Sequence, residues 1–326
     1  MRSLPRKLTS SLVVLAALAA LAPPVSAQDY PSRVVKIVVP AGAGGPTDLI
    51  GRLVAQNLGE ILKSPFIVDN RAGAGGDIGA DAVAKAKPDG YTLLVSHAGP
   101  LAYNKYLFGN QTFDAARDLT PVVLVADAPL LMMVGKDVPV NSLSEFIKLA
   151  KAKPHTLNVA SAGNGTFPHL CFEMLKSQAG IDIVHVPYKS APAAMQAVLA
   201  GEADAYFDTP SQLAQIKAGR IKALAVTSAL RSPLLPEVPT MKESGLPDFV
   251  VTAWFGLYAP AGTDKPVIAK LVSASATMLG SADVKANLAT MGFEPNGRAS
   301  EQFSAFVGSE QAKWSKVVRD SGAKVQ

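Results

Sequence analysis

A single cysteine in 326 residues rules out an internal disulfide, so the chain has to be held together by burial. That residue, Cys171, sits in His169-Leu170-Cys171-Phe172-Glu173-Met174-Leu175, a run that reads as a helix facing the core. Charge is thin as well. Only 17% of residues are Asp, Glu, Lys or Arg, the lysines are scattered, and no basic run carries interleaved aromatics, which excludes a nucleic-acid footprint. The four histidines and the acids show no His-Glu-x-x-His spacing, and no Gly-x-Ser-x-Gly elbow occurs. Metal-assisted and serine hydrolysis thus lack their usual residues, and no cofactor or resident metal is expected. Long apolar stretches are missing too: the run over residues 12–22 falls short of the about 20 residues that a spanning helix needs.

That short run has another use. Arg2, Arg6 and Lys7 precede it, and Pro23-Pro24-Val25-Ser26-Ala27 follows with a small residue at the cleavage position. This is the layout of a secretory signal over residues 1–27, with the mature chain expected to begin near Gln28 in the periplasm. Arg2 and Arg6 are separated, so a twin-arginine signal is absent and the chain is expected to cross the membrane unfolded, a route on which a preloaded cofactor is lost. Without the leader, 28 basic residues face 26 acidic ones, about +2 overall.

What the sequence does hold is alternation. Apolar strands are expected at 34–39, 66–68, 91–95, 122–126, 130–134, 157–160, 183–186, 203–207 and 221–227, with helical spacing between most of them. Leu49, Ile50, Leu53, Val54, Leu58, Ile61 and Leu62 show it best, and Ser142-Leu143-Ser144-Glu145 is a capping box opening another helix. The fold class is therefore α/β, with parallel-rich sheets covered on both faces and ligands beyond the carboxyl ends of the strands. Roughly 300 residues suffice for two modest cores. We expect one discontinuous domain over 28–127 plus 253–326, where a long amphipathic C-terminal helix carries Phe303, Phe306, Trp314 and Val317, and a second over 128–252.

Two glycine-rich loops, Pro40-Ala41-Gly42-Ala43-Gly44-Gly45-Pro46-Thr47-Asp48 and Asn70-Arg71-Ala72-Gly73-Ala74-Gly75-Gly76, each follow a strand and open a helix. Helix starts leave their first N–H donors unpaired at the positive end of the macrodipole, and glycine lets a ligand approach them. Such loops suit a carboxylate or phosphate. The second half repeats the logic: Asn158-Val159-Ala160-Ser161 ends a strand, Ala162-Gly163-Asn164-Gly165-Thr166 turns, and a helix follows from Phe167. Two half-sites on two domains imply a cleft. Hydrogen bonds to a charged acceptor contribute about 1.5–3 kcal/mol each, so a handful reaches micromolar affinity, about 8 kcal/mol, without a buried arginine.

These runs closely resemble the solute receptors of tripartite tricarboxylate transporters, the Bug proteins. The resemblance lies in Lys36-Ile37-Val38-Val39-Pro40 with Gly44-Gly45-Pro46-Thr47-Asp48 and in Asp69-Asn70-Arg71-Ala72-Gly73-Ala74-Gly75-Gly76-Asp77-Ile78-Gly79. It continues through Pro88-Asp89-Gly90-Tyr91-Thr92-Leu93, Ser161 to Thr166, Val186-Pro187-Tyr188-Lys189, Phe207-Asp208 and Ala223-Leu224-Ala225-Val226-Thr227. It implies a two-domain periplasmic binding protein, type II-like, that closes around a small carboxylate and hands it to membrane permease subunits, itself a monomer. Carried over, Ala43, Gly44, Gly45, Thr47 and Asp48 contact the ligand from the first domain, with Gly73 to Gly76, Gly75 among them, shaping the adjacent wall, and Ser161, Gly165 and Thr166 from the second.

Two side chains stay open. His97, after the third strand, either hydrogen-bonds the far end of the ligand or is a satisfied polar residue at a strand end. Asp208 would repel an anion unless it meets an amine or hydroxyl, and loop support is favoured, with ligand contact as its second role. His169 and His185 read as structural. Phe167, Pro168, Tyr188, Phe207 and Trp254 serve equally as pocket walls or core. Other functions remain: an exported sensory module presenting its ligand to a signalling partner, and, ranked far lower, a dinucleotide enzyme, since Gly42-x-Gly44 follows a strand and Asp69 ends the next, but Thr47 occupies the third-glycine place.

Overall fold

The computed structural model describes residues 30–321, and the expected signal segment lies outside them. From Arg33 onward the described residues form one compact unit, which holds every element named below. Six strands form its first sheet: β1 (Val35–Val39), β2 (Phe66–Asn70), β3 (Thr92–His97), β4 (Leu119–Pro129), β10 (Thr252–Pro260) and the short β11 (Glu294–Pro295), in the spatial order β11-β4-β10-β3-β1-β2. Five form the second: β5 (Leu131–Gly135), β6 (Asn158–Ser161), β7 (Val184–Pro187), β8 (Ala205–Asp208) and β9 (Ile221–Val226), ordered β7-β6-β8-β5-β9. The chain changes sheets at Leu130 and returns between Val226 and Thr252.

The helices that matter here are α1 (Pro46–Leu62), α2 (Asp77–Ala84), α3 (Leu143–Ala152), α4 (Phe167–Ala179), α5 (Ala191–Ala200), α6 (Lys265–Gly280) and α7 (Ser300–Ser321). Pro at the first turn of α1, α4 and α5 suits a position with no intrahelical acceptor for its missing N–H. Ser142 caps α3 by accepting the Glu145 amide at 3.2 Å, while Glu145 reaches back to the Asn141 amide, so the capping box closes on the residue before the cap.

Both sheets are mixed rather than mainly parallel. β1 runs parallel to β2 and β3, and β6 parallel to β7 and β8, but β10 pairs antiparallel with β3 and β4, and β5 antiparallel with β8 and β9. The parallel part of each sheet carries the loop–helix connections and the antiparallel part carries the crossings. β10 has no counterpart among the expected strands. Lying between β3 and β4 with Trp254 to Pro260 all buried, it shows none of the alternation that marks a half-exposed strand.

α7 packs on β4 and also on α4 of the second sheet, and its Trp314 meets Phe167 at 5.2 Å and Tyr103 at 5.7 Å between ring centroids. At its centre Glu310, 2% exposed, accepts both indole N–H groups, from Trp254 and Trp314, each at 3.0 Å. Lys313 neutralises it and also donates to the Val250 carbonyl. Trp254 and Phe207 are thus core residues rather than pocket walls. Cys171 is fully buried, as its helix face implies, and burial pushes its thiol pKa up.

Candidate carboxylate-binding site

At the carboxyl ends of β1 and β3 the first sheet has its topological switch point: β1 leads to β2 on one side, and β3 borders β10 on the other. A crevice outside the strand ends forms at such a point. The loop after β1 is held from behind by Asp48. Its Oδ2 accepts the Gly44 amide at 2.8 Å and Arg52 Nε at 2.9 Å, and Oδ1 accepts Asn70 Nδ2 at 2.9 Å, which also bonds the Ala41 carbonyl at 3.0 Å. Burial pushes this carboxyl upward, but the bonds from Arg52, Gly44 and Asn70 outweigh it and hold the pKa below the usual range. Asp48, 1% exposed, is therefore a brace whose oxygens are engaged inside the protein, and the Gly44 amide is spent on it. The first bond of α1 runs from Leu49 N to the Gly45 carbonyl, leaving the amides of Gly45, Thr47 and Asp48 without intrahelical acceptors.

The second loop turns at the same strand ends. Gly75 and Gly76 adopt φ of +61° and +101°, a region that only glycine enters easily. Asn104 fixes the turn through the Gly75 carbonyl at 3.1 Å and Asp77 Oδ1 at 2.7 Å, and Gln111 ties Asp77 to the Pro100 carbonyl. A methyl group on Gly76 would stand 2.8 Å from Pro100 Cγ, 3.2 Å from the Pro40 carbonyl oxygen and 3.3 Å from His97 Nε2. The ends of β1 and β3 and the start of α2 thus meet at one point, with His97 beside it. His97 Nδ1 accepts the Gly99 amide at 3.1 Å, and burial lowers the imidazole pKa to about 4. A single π-helical turn, Gly99–Tyr103, follows and leads the chain away from the strand end.

The second sheet repeats the design with different side chains. Ser161, fully buried, bonds through Oγ to His185 Nε2 at 2.6 Å and to both the amide and the carbonyl of Gly163. The Gly165 amide donates to His169 Nδ1 at 3.1 Å, and Thr166 Oγ1 donates to the Gly163 carbonyl at 2.7 Å. His169 and His185 stack at 4.0 Å beneath the loop, and burial lowers both pKa values, that of His185 to about 4. The polar groups expected to grip a ligand, the hydroxyls of Ser161 and Thr166 and the Gly165 amide, are engaged within the loop in this conformation. The first bond of α4 runs from Leu170 N to the Thr166 carbonyl, so the amides of Phe167 and His169 lack intrahelical acceptors, and Pro168 has none to offer. Asp208 ends β8 as His97 ends β3. Its oxygens accept the Thr209 amide at 2.8 Å and Gln212 Nε2 at 3.2 Å, and burial raises its pKa to about 6.

The correspondence is residue by residue. In each sheet a loop glycine gives its amide to the side chain four residues on, in the first turn of the next helix: Gly44 to Asp48, Gly165 to His169. A side chain from the neighbouring parallel strand, Asn70 or His185, supports that brace. Sequence reasoning found the loops but missed the braces at Asn70, Arg52 and Asn104, because spacing shows which amides a loop exposes but not which side chain turns back to take them.

Thr227 is the other missed residue. It is fully buried beside both crossings. Its Oγ1 accepts Leu130 N at 2.8 Å and donates to the Val251 carbonyl at 2.6 Å, and its own amide and carbonyl bond Leu130 O and Val251 N.

Two mixed sheets with flanking helices, each opening a glycine loop at a switch point, define the α/β class of periplasmic solute-binding proteins. Residues 50–323 match the family described as tripartite tricarboxylate transporter family receptor, and the chain belongs to that family. It is 37% identical over 322 residues to the protein BugT of Bordetella pertussis, across 98% of this chain and 99% of that one. Among solved structures it is similar to an R. palustris protein with adipate (36% identity, TM-score 0.82, 90% of this chain and 99% of that one). It is also similar to MatC from Rhodopseudomonas palustris with bound malate (36% identity, TM-score 0.79, 89% and 100%).

Proposed function

We propose that this chain is an extracytoplasmic solute receptor, not an enzyme, that binds a small carboxylate between two lobes and delivers it to the permease subunits of a tripartite transporter. Residues 28–127 with 253–326 form one lobe and 128–252 the other, and the protein acts as a monomer in the periplasm after cleavage near Ala27. One observation carries this reading: each sheet ends in a glycine loop that opens a proline-started helix with unpaired first-turn amides, and no lysine or arginine lies within either loop. Amides of Gly45, Thr47 and Asp48 on one side and of Phe167 and His169 on the other are the donors left over once the braces are counted, and closure brings both sets onto one carboxylate. Ala43, Gly75, His97 and Asp208 shape the remaining wall. The adipate and malate in the two R. palustris relatives support the ligand class.

The test is a thermal-shift screen of the mature chain against mono-, di- and tricarboxylates, amino acids and aromatic acids, with NAD as control. A ligand at 100 times its dissociation constant adds about 2.7 kcal/mol, which a melting curve registers. A response to NAD alone overturns the reading.

A further inference from the structure

The imidazole of His97 is clamped. On one side lies Gly76 and on the other Gly99, where a methyl group would come within 2.7 Å of Cε1 and 3.0 Å of Nδ1, so the ring fits only because both neighbours lack a side chain. Its tautomer follows from the main chain. The Gly99 amide can only donate, so Nδ1 is the acceptor and the neutral ring carries its proton on Nε2. Burial keeps the ring neutral well below pH 6, and no neighbouring charge contributes to that shift. Nε2, by contrast, has no hydrogen-bond partner among the described residues. A donor of fixed direction, half-buried and unused by the protein, is open to an acceptor that arrives from outside.

Position separates this donor from the loop amides. α1 lies on the Val39 face of β1, where Gly51 abuts that side chain, whereas α2 packs with Val38, Leu94 and Phe303 on the opposite face. The Gly45 and Thr47 amides open α1, while His97 Nε2 stands over Gly76 at the start of α2. With the proposed first carboxylate on the α1 amides, a donor at the start of α2 is available to a second group of the same solute.

We infer that His97 is the specificity-determining residue of this receptor, donating Nε2–H to an oxygen at the remote end of the ligand and so selecting straight-chain dicarboxylates over the corresponding monocarboxylates and over acids with a cationic remote end. This rests on the carboxylate-receptor reading above. A neutral donor to a charged acceptor is worth roughly 10- to 100-fold in affinity, and an unmatched ammonium loses the same contact and meets a donor besides.

The experiment is isothermal titration of the mature chain with the diacids from succinate to suberate, their monoacid counterparts and the matching ω-amino acids. It is repeated with His97→Phe, which keeps the ring shape without the donor, and with His97→Gln, which keeps an N–H. Melting curves check that each variant folds. We expect the wild type to prefer its best diacid over the equal-length monoacid by about 10-fold or more, His97→Phe to erase that ratio, and His97→Gln to retain most of it. Nitrogen-15 spectra of the wild type should show the Nε2–H tautomer, with Nε2 shifting on diacid addition more than on monoacid addition. A preserved diacid-to-monoacid ratio in folded His97→Phe overturns the inference and leaves the receptor reading standing. A wild type that binds no carboxylate overturns both.

Discussion

Replacing Thr227 by valine removes one oxygen and almost no volume, yet that oxygen serves both segments by which the chain passes between sheets. It accepts Leu130 N at 2.8 Å and donates to Val251 O at 2.6 Å, at a position with no solvent access. Leu130 and Val251 are themselves 3% and 0% exposed, so water does not take over either bond. Each buried group left unpaired costs about 1–3 kcal/mol. Thr227→Val should therefore destabilise the chain by about 2–5 kcal/mol, and its melting temperature should fall by at least about 4 °C at the usual 2–4 °C per kcal/mol for chains of this size. Thr227→Ser keeps the oxygen and loses one methyl, at about 1 kcal/mol.

Urea unfolding of wild type and both variants, followed by fluorescence and circular dichroism to check that the transitions coincide, measures the difference. The midpoint should move in the order wild type, serine, valine, with little change in slope. A valine variant within about 0.5 kcal/mol of wild type would refute the reasoning, because the two crossings would then be held by something other than this hydroxyl.

Asp208 gives a pH-dependent effect. Its folded pKa, raised to about 6 by burial, exceeds the ordinary carboxylate value, so the folded chain binds more protons between about pH 4 and 6, and stability from this group falls as pH rises through that window. Asp208→Asn should raise the melting temperature at pH 7.5 and leave it nearly unchanged at pH 4; equal shifts at both would remove burial as the cause. Asp48→Ala should cost about 3 kcal/mol or more and weaken carboxylate binding at least 10-fold, since it frees the Gly44 amide, Arg52 and Asn70 together. Arg52→Ala, at a half-exposed partner, should cost under about 1 kcal/mol by urea unfolding, and a larger loss would mean that the ion pair, not the loop bonds, carries the brace.

Much of this architecture was legible because parallel strands buried on both faces read as apolar runs, and Val35 to Val39 is such a run. The loops were legible for a related reason: glycine after a strand and proline at a helix start are local signals. β10 was not, since Gly256 interrupts its apolar run, Pro260 ends it, and a long irregular stretch from Thr227 to Val251 precedes it. Glu310 gave a faint signal, an acid with Trp314 four residues on, but its second indole comes from Trp254, 56 positions away, and only packing joins them. The braces behind the loops were not legible for the same reason: which amide the Asp48 carboxylate or the His169 ring turns back to take is set by packing and not by spacing.

That backward turn bears on how such a site holds an anion. Asp48 places a carboxylate beneath the very amides expected to receive another carboxylate, which would oppose binding were its charge not matched by Arg52 at 2.9 Å. In the other sheet the same task falls to His169, which burial keeps neutral. Neither loop thus presents a net cation to the solute, and attraction comes from unpaired amides and helix dipoles, each worth about a kcal/mol or two and each dependent on close approach. On the proposed function, a site built this way gains most of its affinity only when both loops reach the ligand, which couples affinity to closure. A buried arginine would hold the anion in the open state as well and weaken that coupling. On the proposed function, amides serve release of the solute, because separating the lobes takes one loop's donors off it.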